Sequence, residues 1–274
     1  MESTVKRLMW AWIILASSLH FESPGVCSIS LPDITNRTFI DECVQEHNKA
    51  RSSVSPGASN MLYMTWDEGL AITARAWARN CLFEHNIHLG EVHRMHPVFP
   101  SVGENIWAAY PPSTFTVTSA INSWVNEKQY YSYNAKSCTN VCGHYTQVVW
   151  AKSYKVGCAV QVCPNGVKET RFSNKEGVIF VCNYATAGNV VGQRPYATGS
   201  PCTQCEGECR NLLCHSQERD RERSYSWTPD WDPALQTCGP ACLAVLALRP
   251  LALIATFIAA YGVHHFYPDI FCYE

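Results

Sequence analysis

HYTQVVW (His144 to Trp150), VGCAVQVC (Val156 to Cys163) and VIFVCNY (Val178 to Tyr184) follow one another in the second half of the chain. Each run is short, rich in β-branched and aromatic residues and bounded by turn residues, so three strands are expected. The chain before them carries a different period. Ile40, Cys43, Val44 and His47 recur at helical spacing, with Thr38 and Asp41 placed as a capping-box-like start. Leu70, Ala74, Trp77, Ala78 and Cys81 form a second stripe, opened by Thr65 and Glu68, and Val117, Ala120, Ile121 and Trp124 form a third. Helices first and strands later predict an α+β fold, with a sheet covered on its faces by helices. Trp66, Trp77, Trp124 and Trp150 are the expected aromatic core.

The chain has 274 residues, enough for one or two domains. Its 47% hydrophobic and 16% charged residues exclude a disordered polypeptide. The 21 Lys and Arg nearly balance the 23 Asp and Glu, for a net charge of -2, and give no field to hold a nucleic-acid backbone. Fifteen cysteines point to an oxidising compartment. Lys6 and Arg7 precede the apolar run Leu8 to Ala16 and a small-residue exit, which reads as a signal peptide over 1–26. Asn36-Arg37-Thr38 is a sequon just beyond it, making Asn36 the candidate glycosylation site.

At the other end, Ala241 to Val263 carries one charge, Arg249, followed by Pro250. At about 1.5 Å per residue such a helix spans about 35 Å, enough for a bilayer. Arg249 costs roughly 2.5–3.5 kcal/mol on insertion, which the Leu, Ile, Phe and Val residues offset. A single span is the favoured reading. The alternatives are a tail-removal signal for a lipid anchor, against which the polar end HHFYPDIFCYE argues, and a buried helix of a secreted protein. The segment Ser216 to Pro233, SQERDRERSYSWTPDWDP, reads as a solvated stalk.

Cysteine register narrows the pairing. Cys158 and Cys163 are an odd offset apart in one strand, so their side chains face opposite sides and seek different partners. A bridge from Cys158 to Cys182 in the next strand would contribute roughly 3–4 kcal/mol. Cys202, Cys205, Cys209 and Cys214 are dense enough for a zinc site, but behind a signal peptide they read as a disulfide knot.

GHYTQVVWAKS (Gly143 to Ser153) resembles the first signature of the CAP superfamily, the cysteine-rich secretory, antigen 5 and pathogenesis-related proteins. IFVCNYATAGNV (Ile179 to Val190) resembles the second, with Thr186 as one departure placed to alter a turn and not the fold. HNKAR (His47 to Arg51) looks like the first-helix motif and GENIW (Gly103 to Trp107) like the fourth. The layout is most similar to the glioma pathogenesis-related branch. The resemblance implies a three-layer α-β-α sandwich over 34–195, a cysteine-rich hinge over 196–216, a stalk over 217–240, a transmembrane helix over 241–263 and a short tail over 264–274. It also implies the pairs Cys81–Cys163, Cys158–Cys182, Cys202–Cys209, Cys205–Cys214 and Cys138–Cys142. Cys43 is left without an obvious partner, and Cys238, Cys242 and Cys272 are unassigned.

The resemblance further selects His85, Glu104, Glu127 and His144 as residues that converge in a cleft. Two imidazoles and two carboxylates suit a borderline metal such as zinc, or a hydrogen-bonded polar network. Weak, non-obligatory zinc binding through His85 and His144 is expected, fading below about pH 6.5 as the imidazoles protonate. His88, His93 and His96 lie close to His85 in a Gly- and Pro-bounded loop and read as exposed side chains without a ligand role. No HExxH and no G-x-S-x-G is present. The expected function is therefore non-enzymatic: an extracellular module, tethered to the cell membrane, that binds a protein or lipid partner. A metal-dependent hydrolase built on the His/Glu set is the alternative.

Overall fold

The computed structural model describes residues 31–236 and 240–267, with side chains over 31–235 and 244–267. The signal-peptide expectation, Cys238, Cys272 and the end of the tail lie outside the described residues; of Cys242 only the backbone is described.

The helices appear where the stripes place them, but their caps differ. Helix α1 (Arg37–Ser52) is capped by Asn36, whose side chain accepts from the Phe39 N–H at 3.1 Å, and not by Thr38. Helix α2 (Glu68–Ala78) is capped by Asp67 through the Leu70 N–H at 3.1 Å, while Thr65 and Trp66 form the short strand β1 (Thr65–Trp66). In both cases an Asn or Asp next to the helix start outcompetes a Thr nearby, as its short side chain reaches the orphan N–H groups well. Helix α3 (Val117–Asn126) carries a capping box of Thr116 and Ser119. Strands β2 (Gly103–Ala109), β5 (Lys155–Cys163) and β6 (Gly177–Ala185) complete a sheet of order β1-β5-β6-β2. β1 runs parallel to β5 and the other pairs are antiparallel. Two small hairpins are β3 (Tyr131–Ser132) with β4 (Ser137–Cys138), and β7 (Glu208–Arg210) with β8 (Leu213–His215).

HYTQVVW is not a strand. It is largely helix α4 (Gly143–Val148), whose ends are satisfied by residues far away in sequence. The Glu127 carboxylate accepts the backbone N–H groups of His144 (3.1 Å) and Tyr145 (3.3 Å), and Arg51 donates to the Val148 carbonyl at 3.0 Å. An apolar run this short is ambiguous between helix and strand, and its partners decide.

Alternate residues of β6 face opposite layers. Phe180 packs edge-on to Phe39 of α1 and stacked on Trp124 of α3, and Tyr184 meets His47 of α1. On the other face the Asn183 amide donates to the Leu70 carbonyl of α2. There α2 approaches β5 so closely that a Cβ on Gly157 would lie 2.2 Å from the Ala71 nitrogen. The result is the α-β-α sandwich, with Trp66, Trp77, Trp124 and Trp150 all buried. Thr186 sits in a bend just beyond β6, where its carbonyl accepts from the Ser153 hydroxyl at 2.6 Å.

Five disulfides are present among the described residues. Cys158 lies directly opposite Cys182 in the β5–β6 register and is bonded to it, while Cys163 is bonded to Cys81 beyond the end of α2. The others join Cys138–Cys142, Cys202–Cys209 and Cys205–Cys214. Cys43 is a buried free thiol whose pKa is raised by burial.

The HNKAR residues are structural. The His47 Nδ1–H donates to the Cys43 carbonyl at 2.7 Å, and Nε2 accepts from the Tyr184 hydroxyl at 2.8 Å. Burial pushes the His47 pKa from 6.5 to about 4. Unfolded, this histidine takes up a proton below about pH 6.5; folded, it stays neutral until about pH 4. Stability from this group is complete above pH 6.5 and falls as pH drops through that window, by up to roughly 3 kcal/mol. Urea titrations of the wild type and of His47→Gln at a series of pH values should show a shallower acid slope in the variant.

The segment expected as a solvated stalk is instead a strap laid against the domain. Arg221 offers its carbonyl to the Lys155 ammonium (2.8 Å), and the Tyr225 hydroxyl donates to Asp67 (2.8 Å). The Trp227 indole donates to Thr73 (3.2 Å), and Asp232, buried, pairs with Arg79 at 2.6 Å. The alternating charges at its start read as a solvated face, but the aromatics that follow have apolar surface to cover along α2. Beyond the strap runs α5 (Pro240–Phe266), in which Ala244–Phe266 is long and apolar enough to cross a membrane, with Pro250 inside the helix.

Candidate functional site: two histidine–carboxylate pairs beside an edge strand

β2 is an edge strand of the sheet, and the four cleft residues are organised around its first residues. The His85 Nδ1–H donates to Glu104 of β2 at 3.0 Å, and the same carboxylate oxygen accepts the Asn86 N–H at 2.9 Å. The neighbouring Asn105 amide donates to the His144 carbonyl at 3.0 Å, tying β2 to the start of α4. The His144 Nδ1–H donates to Glu127 at 2.7 Å, and its ring stacks on Trp124. The structure thus groups the four residues as two pairs that meet β2 at adjacent positions.

Burial differs sharply within the first pair: the Glu104 side chain is 0% exposed and that of His85 59%. Burial raises the Glu104 pKa, and the hydrogen bond to Glu104 raises that of His85. Glu104 Oε2 and Asn86 Nδ2 are buried without hydrogen-bond partners. Glu127 has a second task, as its other oxygen caps α4.

These features fit a metal in kind. A ligating histidine presents one ring nitrogen to the ion and donates the other N–H to a carboxylate, as both histidines do here with Nδ1. The two Nε2 atoms have no hydrogen-bond partner within the described residues. They do not fit a tight, closed site, because the ligand atoms of the four are not gathered within 4.8 Å of one another. Among the described residues the one group that is so gathered, Cys202, Cys205 and Cys214, is consumed by disulfides and offers no thiolate.

The neighbouring histidines correct the reading of an exposed loop. His96 is fully buried: its Nε2–H donates to Asp67 at 3.0 Å, and Nδ1 accepts the Val98 and Phe99 N–H groups, both at 3.0 Å. His88 stacks under Trp231 of the strap and pairs with Glu91, while His93 is exposed. The signal that could have found His96 is its approach to the Asp67 cap, which no spacing reveals. Asn36 is exposed, and its Nδ2, the atom a glycan would take, makes no hydrogen bond with the described residues. Separately, a groove of about 610 Å³ runs beside α1, lined in part by Ile40, Val44, Tyr63, Trp66 and Leu213; none of the four cleft residues lines it.

Residues 44–184 match the model of the cysteine-rich secretory protein family, CAP. The chain is 42% identical over 257 residues to GLIPR1-like protein 1 of Bos taurus, covering 93% of this chain and 98% of that protein. It is 45% identical over 260 residues to glioma pathogenesis-related protein 1 of Mus musculus, covering 93% and 94%. Among solved structures it is similar to Na-ASP-1 (TM-score 0.53, 26% identity, 71% of this chain and 52% of that one). It is also similar to NaASP2, solved with Zn2+ (TM-score 0.50, 25% identity, 68% of this chain and 100% of that one). With the sandwich, the disulfides and these likenesses in agreement, this chain belongs to the cysteine-rich secretory protein family.

Proposed function

We propose that this protein is a non-enzymatic extracellular module, held at the cell membrane by α5, that engages a protein or lipid partner and binds zinc weakly at His85 and His144. The observation that carries the metal part is the pair of histidines locked through Nδ1 onto Glu104 and Glu127 with Nε2 left open. Zinc would be held by the two imidazoles, with Glu104 and Glu127 orienting them and the unpartnered Glu104 oxygen available as a further ligand. A resident ion there would supply electrostatic attraction for an anionic group of the partner. No serine, threonine or cysteine side chain is hydrogen-bonded to either histidine among the described residues, so the arrangement supports recognition over acyl transfer.

Calorimetric zinc titration of the full chain in detergent micelles tests the assignment. His85→Ala/His144→Ala is expected to lower the affinity at least tenfold, or about 1.4 kcal/mol. Unchanged affinity would refute the ligand set, and hydrolysis of a peptide or ester panel that is lost in Glu104→Gln would favour the hydrolase. The tether is supported by the length and composition of α5. A chain ended at Gln236 should appear in the medium, whereas Arg249→Leu should strengthen membrane retention by removing the charge within the span. Release of the full chain by a phospholipase specific for lipid anchors would overturn the single span.

A further inference from the structure

The loop between α2 and β2 concentrates exposed apolar side chains. Phe83 is 40% exposed, Ile87 76%, Val92 73% and Val98 49%, all within one stretch of chain. Solitary exposed hydrophobics are ordinary, but several in one short loop mark a surface that meets something apolar. The end of the strap is fastened to this same loop. Trp231 stacks on His88 and its indole N–H donates to the Arg94 carbonyl at 3.3 Å, while Asp230 pairs with Arg94 at 3.0 Å. Asp232, one residue on, is anchored to Arg79.

Chain length then restricts what can face the loop. Pro240 opens α5 eight residues after Asp232. At no more than about 3.6 Å per residue, the first turn of α5 lies within roughly 29 Å of the strap's anchor. Residues 233–236 are a short 3-10 helix, which brings it closer still. The charges of the loop are largely satisfied among themselves: Glu91 pairs with His88 and Arg94, and Arg94 also with Asp230, leaving Glu84 and His93 at the rim.

We propose that the loop over residues 83–98 docks on the bilayer that holds α5, inserting Ile87 and Val92 into its interfacial region. The strap thereby fixes the orientation of the domain, which lies on the membrane with its α2 loop down and does not swing on a free tether. This rests on the single-span reading of α5. Interfacial insertion of a few apolar side chains is favourable in proportion to the apolar area removed from water.

Photocrosslinking distinguishes the two ideas. The full chain would be reconstituted in phosphatidylcholine vesicles containing a phosphatidylcholine with a diazirine near the head of its acyl chain, irradiated, and its adducts mapped by peptide mass spectrometry. Adducts are expected in residues 83–98 as well as in α5, with the β7–β8 hairpin around Leu212 spared. Ile87→Asp/Val92→Asp, at positions exposed enough to leave the fold intact, should lower the loop adducts about tenfold while those in α5 persist. Adducts in α5 without any in the loop overturn the docking and leave the tether standing. Loop adducts unchanged in the double variant overturn the assignment to Ile87 and Val92. Adducts in neither segment overturn the tether and the docking with it.

Discussion

Arg51→Leu is expected to lower the midpoint of thermal unfolding by roughly 10 °C or more, corresponding to about 3–5 kcal/mol in a domain of this size. Arg51 is 1% exposed and has no carboxylate partner among the described residues. Its guanidinium donates instead to four main-chain carbonyls: Leu62 at 2.6 and 3.1 Å, Val148 at 3.0 Å, Trp150 at 2.7 Å and Ala151 at 3.1 Å. Burial lowers its pKa to about 9, which leaves it cationic at neutral pH. Leucine removes the buried charge but strands the Leu62 and Val148 carbonyls, those of Trp150 and Ala151 keeping the N–H groups of Ser153 and Leu62, and an orphaned buried acceptor costs about 1–3 kcal/mol. Arg51→Lys should recover only part of the loss, because one ammonium cannot span the positions that the planar fork reaches. Tryptophan fluorescence of the full chain in micelles during a thermal ramp measures both variants. A shift of less than about 3 °C for Arg51→Leu would mean that water replaces the guanidinium without difficulty.

Cys81→Ala/Cys163→Ala is expected to cost about 4–5 kcal/mol. The bridge closes 82 residues, the longest loop of the five disulfides, and the entropy it removes from the unfolded chain grows with that length. It also fastens the end of α2 to the far end of β5, the layer contact from which the loop bearing His85 departs. Removal should therefore weaken zinc binding at His85 along with stability. By comparison Cys138→Ala/Cys142→Ala, which opens a four-residue separation, should matter far less. Urea midpoints of the two double variants give the comparison directly, and equal effects would count against the loop-length account.

The helical stripes and the two long strands were legible because each has a period that only one kind of element satisfies while burying one face. The disulfide framework was legible in part for the same reason: an odd offset in one strand separates Cys158 from Cys163. β2 was not legible as a strand, since its opening Gly103, Glu104 and Asn105 break the alternation. Those polar residues are spent on the site, on His85 and on the His144 carbonyl. The cleft residues themselves were found through a motif likeness. No spacing between His85 and Glu104, or between Glu127 and His144, announces that they pair.

Residue order alone determined the three helical stripes of α1, α2 and α3, the long strands β5 and β6, and where an apolar helix follows the domain. These are local properties, set by periodicity, composition and charge within a few turns of chain. Only the tertiary structure decided that HYTQVVW would be a helix capped by Glu127 and held by Arg51, and that His96 would be buried against Asp67. It likewise decided that the charged and aromatic segment after the hinge would lie along α2. Each of these outcomes depends on hydrogen-bond partners and apolar surface contributed from tens of residues or more away, and the free energy of a buried contact has no counterpart in the neighbouring sequence.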